Sequence, residues 1–275
     1  MPSAACALMG LLLLAAEPVP EVVSPLGARF YSKPDGKKAI AEAEKQLAAD
    51  PNNVDRLIAL GRAQVSVWRL RDAIDTFTRA IKLAPDNARL YRLRGHRYIS
   101  SRQFDKAVAD LERAAKLSDR EFDIWYHLGL AYYLKRDFAR AADAYTRARD
   151  AGTKDDNIIA ASNWLYASLR RQKKSAEAAR ALERIRPDMN VQEDKMYFAL
   201  LLFYKGLKQE SEVLHPQLTD MEAATVGYGI GNWHLYNGRQ ARARQVFQNI
   251  VAGKEWAAFG FISAEAELAR GSSPR

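Results

Sequence analysis

Cysteine, histidine and paired carboxylates would carry covalent, metal or acid–base chemistry, and this chain offers few of them. Cys6 is its one cysteine, so neither a disulfide framework nor a multi-cysteine zinc site can form. His96, His127, His215 and His234 are too widely spaced for the common two-histidine metal motifs. Serines occur without a G-x-S-x-G elbow, and no P-loop is present. The run from Val226 to Gly231, VGYGIG, has the look of a phosphate-cradling loop. However, Asn232 stands where a dinucleotide pattern needs glycine, and no strand precedes it. Gly227 and Gly231 instead share one helix face, where they permit close packing. Asp155 and Asp156 sit at a break between helices, as solvated turn residues do. The expectation is a chain with no enzymatic activity, no metal and no cofactor.

Recognition is the chemistry that remains. Arg89 and Arg92 lie three apart and His96 follows four later, so a helix would present all three on one side. The whole chain is basic, with 42 Lys and Arg against 33 Asp and Glu and a net charge of +9. The excess is patchy. Residues 88–121 and 158–190 each carry four more basic than acidic side chains (9 − 5 and 7 − 3), whereas 191–225 carry three fewer (3 − 6). Such charge lies within folded segments and not in a basic tail, so it does not by itself indicate nucleic acid. With 275 residues, 48% of them hydrophobic, the chain has material for a substantial core.

The elements that position these residues follow from a repeat. When 54–87, 88–121 and 122–155 are aligned, the same residue types recur 34 positions apart. Leu57, Tyr91 and Trp125 correspond, as do Gly61, Gly95 and Gly129. Ala73, Ala107 and Ala141 follow, then Phe77, Leu111 and Tyr145, then Ala80, Ala114 and Ala148. Each half-unit has apolar residues at helical spacing, and the short breaks between halves allow only antiparallel neighbours. One pair cannot bury both its faces, so pairs must stack. The pattern resembles the tetratricopeptide repeat, a helix–turn–helix of 34 residues. That resemblance implies an all-α, right-handed superhelical solenoid of antiparallel helix pairs.

The predicted organisation covers the whole chain. Residues 1–16 hold an uncharged, leucine-rich run of signal-peptide length, too short to span a membrane, which predicts export to the periplasm or cell envelope. Residues 17–34, with Pro18, Pro20, Pro25 and Pro34, read as a linker, and 35–53 as a leading helix. Residues 54–155 hold three well-matched units and 156–255 three degenerate ones. His215–Pro216 should interrupt the second helix of the fifth unit. Residues 256–275 read as a capping amphipathic helix and tail. The stretch from GNWHLYNGRQARARQVF to WAAFGFISAEAELAR is also similar to uncharacterised bacterial exported repeat proteins.

The resemblance further implies a mode of action, because the first helices of such pairs line a concave groove that binds extended peptides. The groove-facing positions are Arg62, Arg89, Arg92, His96, Tyr126, Tyr133, Asn163, Arg170, Tyr228 and Asn232. They predict a non-enzymatic scaffold for a protein or peptide partner, with an anionic segment as the natural complement. Family members that grip acidic chaperone tails carry Lys and Asn where Ile58 and Arg62 stand here, so that particular clamp is not expected. The alternative is a basic solenoid that binds nucleic acid in the cytoplasm.

Overall fold

A computed structural model describes residues 18–271, so the expected signal segment lies outside the described residues. Among these residues are fourteen helices and one two-stranded hairpin. After a leading helix α1 (Ala39–Ala49) come three regular antiparallel pairs. They are α2 (Val54–Ser66) with α3 (Leu70–Leu83), α4 (Ala88–Ser100) with α5 (Phe104–Leu117), and α6 (Phe122–Leu134) with α7 (Phe138–Ala151). Three looser pairs follow: α8 (Asp155–Arg171) with α9 (Ser175–Ala181), α10 (Lys195–Tyr204) with α11 (Glu210–Val213), and α12 (Asp220–Tyr236) with α13 (Gln240–Val251). The single turn of α11 stops just before His215–Pro216.

The repeat is written into the helix ends. Asn53 and Asn87 cap α2 and α4, each accepting a backbone N–H with its side chain. Between paired helices one residue turns the chain in the left-handed region: Trp68, Arg102, Arg136 and Lys173, with φ of 60°, 62°, 64° and 63°. Glycine takes that place in the fifth and sixth units, as Gly206 and Gly238. Within a pair, glycine on the first helix receives a large side chain from the second. A Cβ on Gly129 would lie 2.9 Å from three ring carbons of Tyr145. The fold is an all-α solenoid.

The last helix, α14 (Phe259–Gly271), packs chiefly against α12 and α13 and also reaches side chains of earlier units. It is buried around most of its circumference, with Phe261, Ile262, Ala264, Glu265 and Leu268 all inside. It lies across the first helices of the pairs. Phe259 packs on His96 of α4 and His127 of α6, Arg171 of α8 donates to Glu267, and Gly260 abuts the Ala224 carbonyl of α12. Arg270 donates to the Leu134 carbonyl at the end of α6. Through these side chains α14 covers part of the surface formed by the first helices.

The expected linker is also structured. Strands β1 (Val22–Val23) and β2 (Arg29–Phe30) pair antiparallel, with Val22 opposite Phe30. Phe30 stacks on Trp256 at 5.3 Å, and Trp68 meets the same indole edge-on at 4.9 Å. A hairpin this short has no stability of its own; its aromatic contact with the C-terminal segment holds it.

Candidate partner-binding surface

The ten groove positions divide into two groups. Tyr126, Tyr133, Asn163, Tyr228 and Asn232, expected to face a ligand, are buried in the free chain. Tyr133 accepts hydrogen bonds from the Tyr228 hydroxyl and the Asn232 amide, each at 3.0 Å. Tyr126 accepts from the Trp164 indole at 3.1 Å and donates to the Tyr197 hydroxyl at 3.3 Å. Burial holds all these phenols protonated by raising their pKa. Arg170 is half-buried and engaged, donating to Tyr166 and Asn237 and lying 4.4 Å over the Tyr236 ring. The physical reason is closure: later first helices and α14 meet one another where an open groove would have left their inner faces to solvent.

The second group stays on the surface of the first two units. Arg62 on α2 and Arg89 on α4 are exposed, and neither guanidinium has a partner among the described residues. Arg92 is mostly buried and reaches Asp123 at 3.5 Å. Burial lowers its pKa, Asp123 and Glu121 oppose that, and Arg62 and Arg89 add repulsion, so the three arginines act on one another. His96 lies against His127, with ring centroids 4.3 Å apart. Burial pushes the pKa of His96 well below the usual value and that of His127 to about 4, with nearby arginines adding to both. Both rings are neutral at pH 7. His127 donates through Nδ1 to the Asp123 carbonyl.

Two participants escaped the sequence reading. Arg97 sits beside His96 but off the groove-facing pattern, and burial lowers its pKa to about 10. Phe259 comes from α14, which the sequence placed at the end of the stack. Nothing in the helical period of α4 could have announced either.

This arrangement has the means for non-covalent recognition: two exposed cations, Arg62 and Arg89, with Arg92 behind them. Among the described residues no group of His, Cys, Asp and Glu could hold a metal ion, and no helix is long and apolar enough to cross a membrane.

Helix pairs of this length and spacing define a tetratricopeptide-repeat solenoid. Residues 92–156 match the family described as tetratricopeptide repeat, so the chain carries that repeat. It is similar to the heat-shock protein cognate co-chaperone sgt12 of Aspergillus fumigatus, 32% identical over 111 residues, or 40% of this chain and 33% of that protein. A second relative is small glutamine-rich tetratricopeptide repeat-containing protein 2 of Saccharomyces cerevisiae, 32% identical over 118 residues, covering 43% and 33%. This chain thus spans 33% of the length of either relative. Among solved structures, MamA is similar at 26% identity and a TM-score of 0.48, over 55% of this chain and 92% of that one.

Proposed function

We propose that the chain is a non-enzymatic protein-binding scaffold whose open concave surface, at the first two units, takes an anionic segment of a partner protein. One observation carries this reading: Arg62 and Arg89 are exposed and unpaired beside Arg92, while α14 covers part of the surface formed by the other first helices. The repeat class supports it, since relatives with this repeat include a co-chaperone. Ile58, which is buried, and Arg62 stand where the chaperone-tail clamp carries Lys and Asn, which favours a different anionic sequence as the ligand. The hydrophobic run at 4–16 favours a site of action in a bacterial cell envelope.

The test is affinity capture with the chain lacking residues 1–16, and with Arg62→Glu/Arg89→Glu. The double variant should fold normally and lose its captured partner, and capture by the parent should weaken as salt rises. Equal capture by both proteins would move the site elsewhere. N-terminal sequencing of the protein from cells tests export; an intact Met1 on a cytosolic product contradicts it.

A further inference from the structure

Arg149 carries a guanidinium that the fold leaves unsatisfied. Its Nε is buried without a hydrogen-bond partner, and its terminal nitrogens make no hydrogen bond among the described residues. Its one ion pair there is loose: Asp150 stands 3.9 Å from Nε, beyond hydrogen-bond reach, and Arg184 holds the same carboxylate at 3.2 Å. By contrast, the sheltered Arg171 is met closely by Glu267 at 2.8 Å. Arg149 instead lines a cavity of about 480 Å³ between α7, α8 and α9. The space follows from the shortness of α9, which has 7 residues where α3, α5 and α7 have 14 each.

The lining offers two chemistries. Its floor is apolar, with Ala142, Leu165, Leu169 and Ala181 all buried. Its cations are Arg149 on α7, Arg180 on α9 and Lys174 before α9. Arg180 is exposed and makes no hydrogen bond or ion pair among the described residues. Lys174 and Glu177 hold each other at 3.6 Å. Asp143 is the one unpaired carboxylate of the lining; it is exposed and stands more than a turn before Arg149 on α7. Two guanidinium groups on one cavity can hold an oxyanion by charge-assisted hydrogen bonds, and an apolar floor shelters the hydrocarbon that carries it. We infer that this cavity binds a small organic anion, its carboxylate or phosphate held by Arg149 and Arg180 and its apolar body resting on Leu165 and Leu169. The site stands apart from the partner surface proposed above, whose Arg62 and Arg89 lie on α2 and α4.

The probes are phenyl phosphate, benzoate and inorganic phosphate, titrated into the full chain at constant ionic strength, with benzyl alcohol as the uncharged control. The arginine Nε–H signals in NMR spectra and the thermal midpoint report binding. The expected result is saturable binding of phenyl phosphate or benzoate with a shifted Arg149 signal. The tighter of the two names the oxyanion. Either should bind at least about tenfold tighter than inorganic phosphate, because only the organic anions use the apolar floor. Arg149→Gln and Arg180→Gln should each weaken binding at least about tenfold, the scale of losing one charge-assisted bond. Arg113→Gln, at an exposed arginine paired with Asp86, should leave it unchanged. No saturable binding, equal binding of benzyl alcohol or inorganic phosphate, or undiminished binding by either cavity variant overturns the inference. If Arg149→Gln does not fold, Arg180→Gln on the exposed rim decides alone, and unchanged binding there overturns the site. Partner capture through Arg62 and Arg89 is a separate measurement, so failure of this site leaves the scaffold reading standing.

Discussion

Glu265 and Arg102 are 163 residues apart in sequence and meet at 2.8 Å inside the protein, each with its side chain almost fully buried. Arg102 also donates to the carbonyls of Ser100 and Trp256. It therefore ties the turn of the second repeat to both the C-terminal segment and α14. Glu265→Ala would leave the arginine charge buried and unpaired, at a cost of about 3–5 kcal/mol. Urea melts should show that loss, and limited proteolysis should cut the C-terminal segment faster. Arg102→Met/Glu265→Met should recover much of it, because no lone charge remains.

The contact between paired helices is tight. Ala141 is fully buried, so Ala141→Leu forces extra methylenes into a filled space and should cost about 1–3 kcal/mol. Gly129→Ala should be destabilising for the same reason, since the new methyl meets the Tyr145 ring. Urea denaturation followed by circular dichroism measures both. A melt of Ala141→Leu that overlays the parent would contradict this packing.

Left-handed turn residues carry a backbone cost that glycine avoids. Lys173 is exposed at φ 63°, while Gly206 and Gly238 do the same job in later units. Lys173→Gly should stabilise by about 0.5 kcal/mol once the greater freedom of glycine in the unfolded chain is subtracted. Trp68 and Arg102 should not behave so, since each also makes contacts to the C-terminal segment. Thermal midpoints of the three glycine variants check this contrast.

Acid should weaken the fold through the buried imidazoles. The pKa of His127 is about 4 when folded and near 6.5 when unfolded, so its contribution is complete above 6.5 and is lost as pH falls towards 4. The full loss is roughly 3 kcal/mol. Asp194 acts in the opposite sense: burial and the charge of Asp156 raise its pKa to about 6, so protonation below that value favours the folded state. Melts at pH 7 and pH 5 should show a net fall for the parent and a smaller one for His127→Asn. The fall should be larger for Asp194→Asn.

The repeat was legible because its cause is local: small residues, large residues and turns recur with the helix pairs they build. The left-handed turns at Trp68, Arg102 and Arg136 keep the same 34-residue step. Closure was not legible. WAAFGFISAEAELAR reads as amphipathic because it mixes apolar residues with Glu265 and Glu267, yet both carboxylates find arginines from other units and their side chains are buried. A position rule that assumes an open groove does not register that Tyr133, Tyr228 and Asn232 are buried in the free chain. The hairpin at Val22–Phe30 was hidden likewise, because its stability comes from Trp256. Arg89 and Arg92 came from the groove positions that the resemblance implies, and their spacing places them on one helix face.

Hydrogen–deuterium exchange of the chain, free and bound to its captured partner, tests the central claim most directly. The account predicts new protection in α2 and α4, with α14 equally protected in both states, because the partner meets the open cationic surface and leaves the part covered by α14 alone. Protection confined to the outer helices α7 and α9, or loss of protection in α14 as the partner displaces it, would contradict the account.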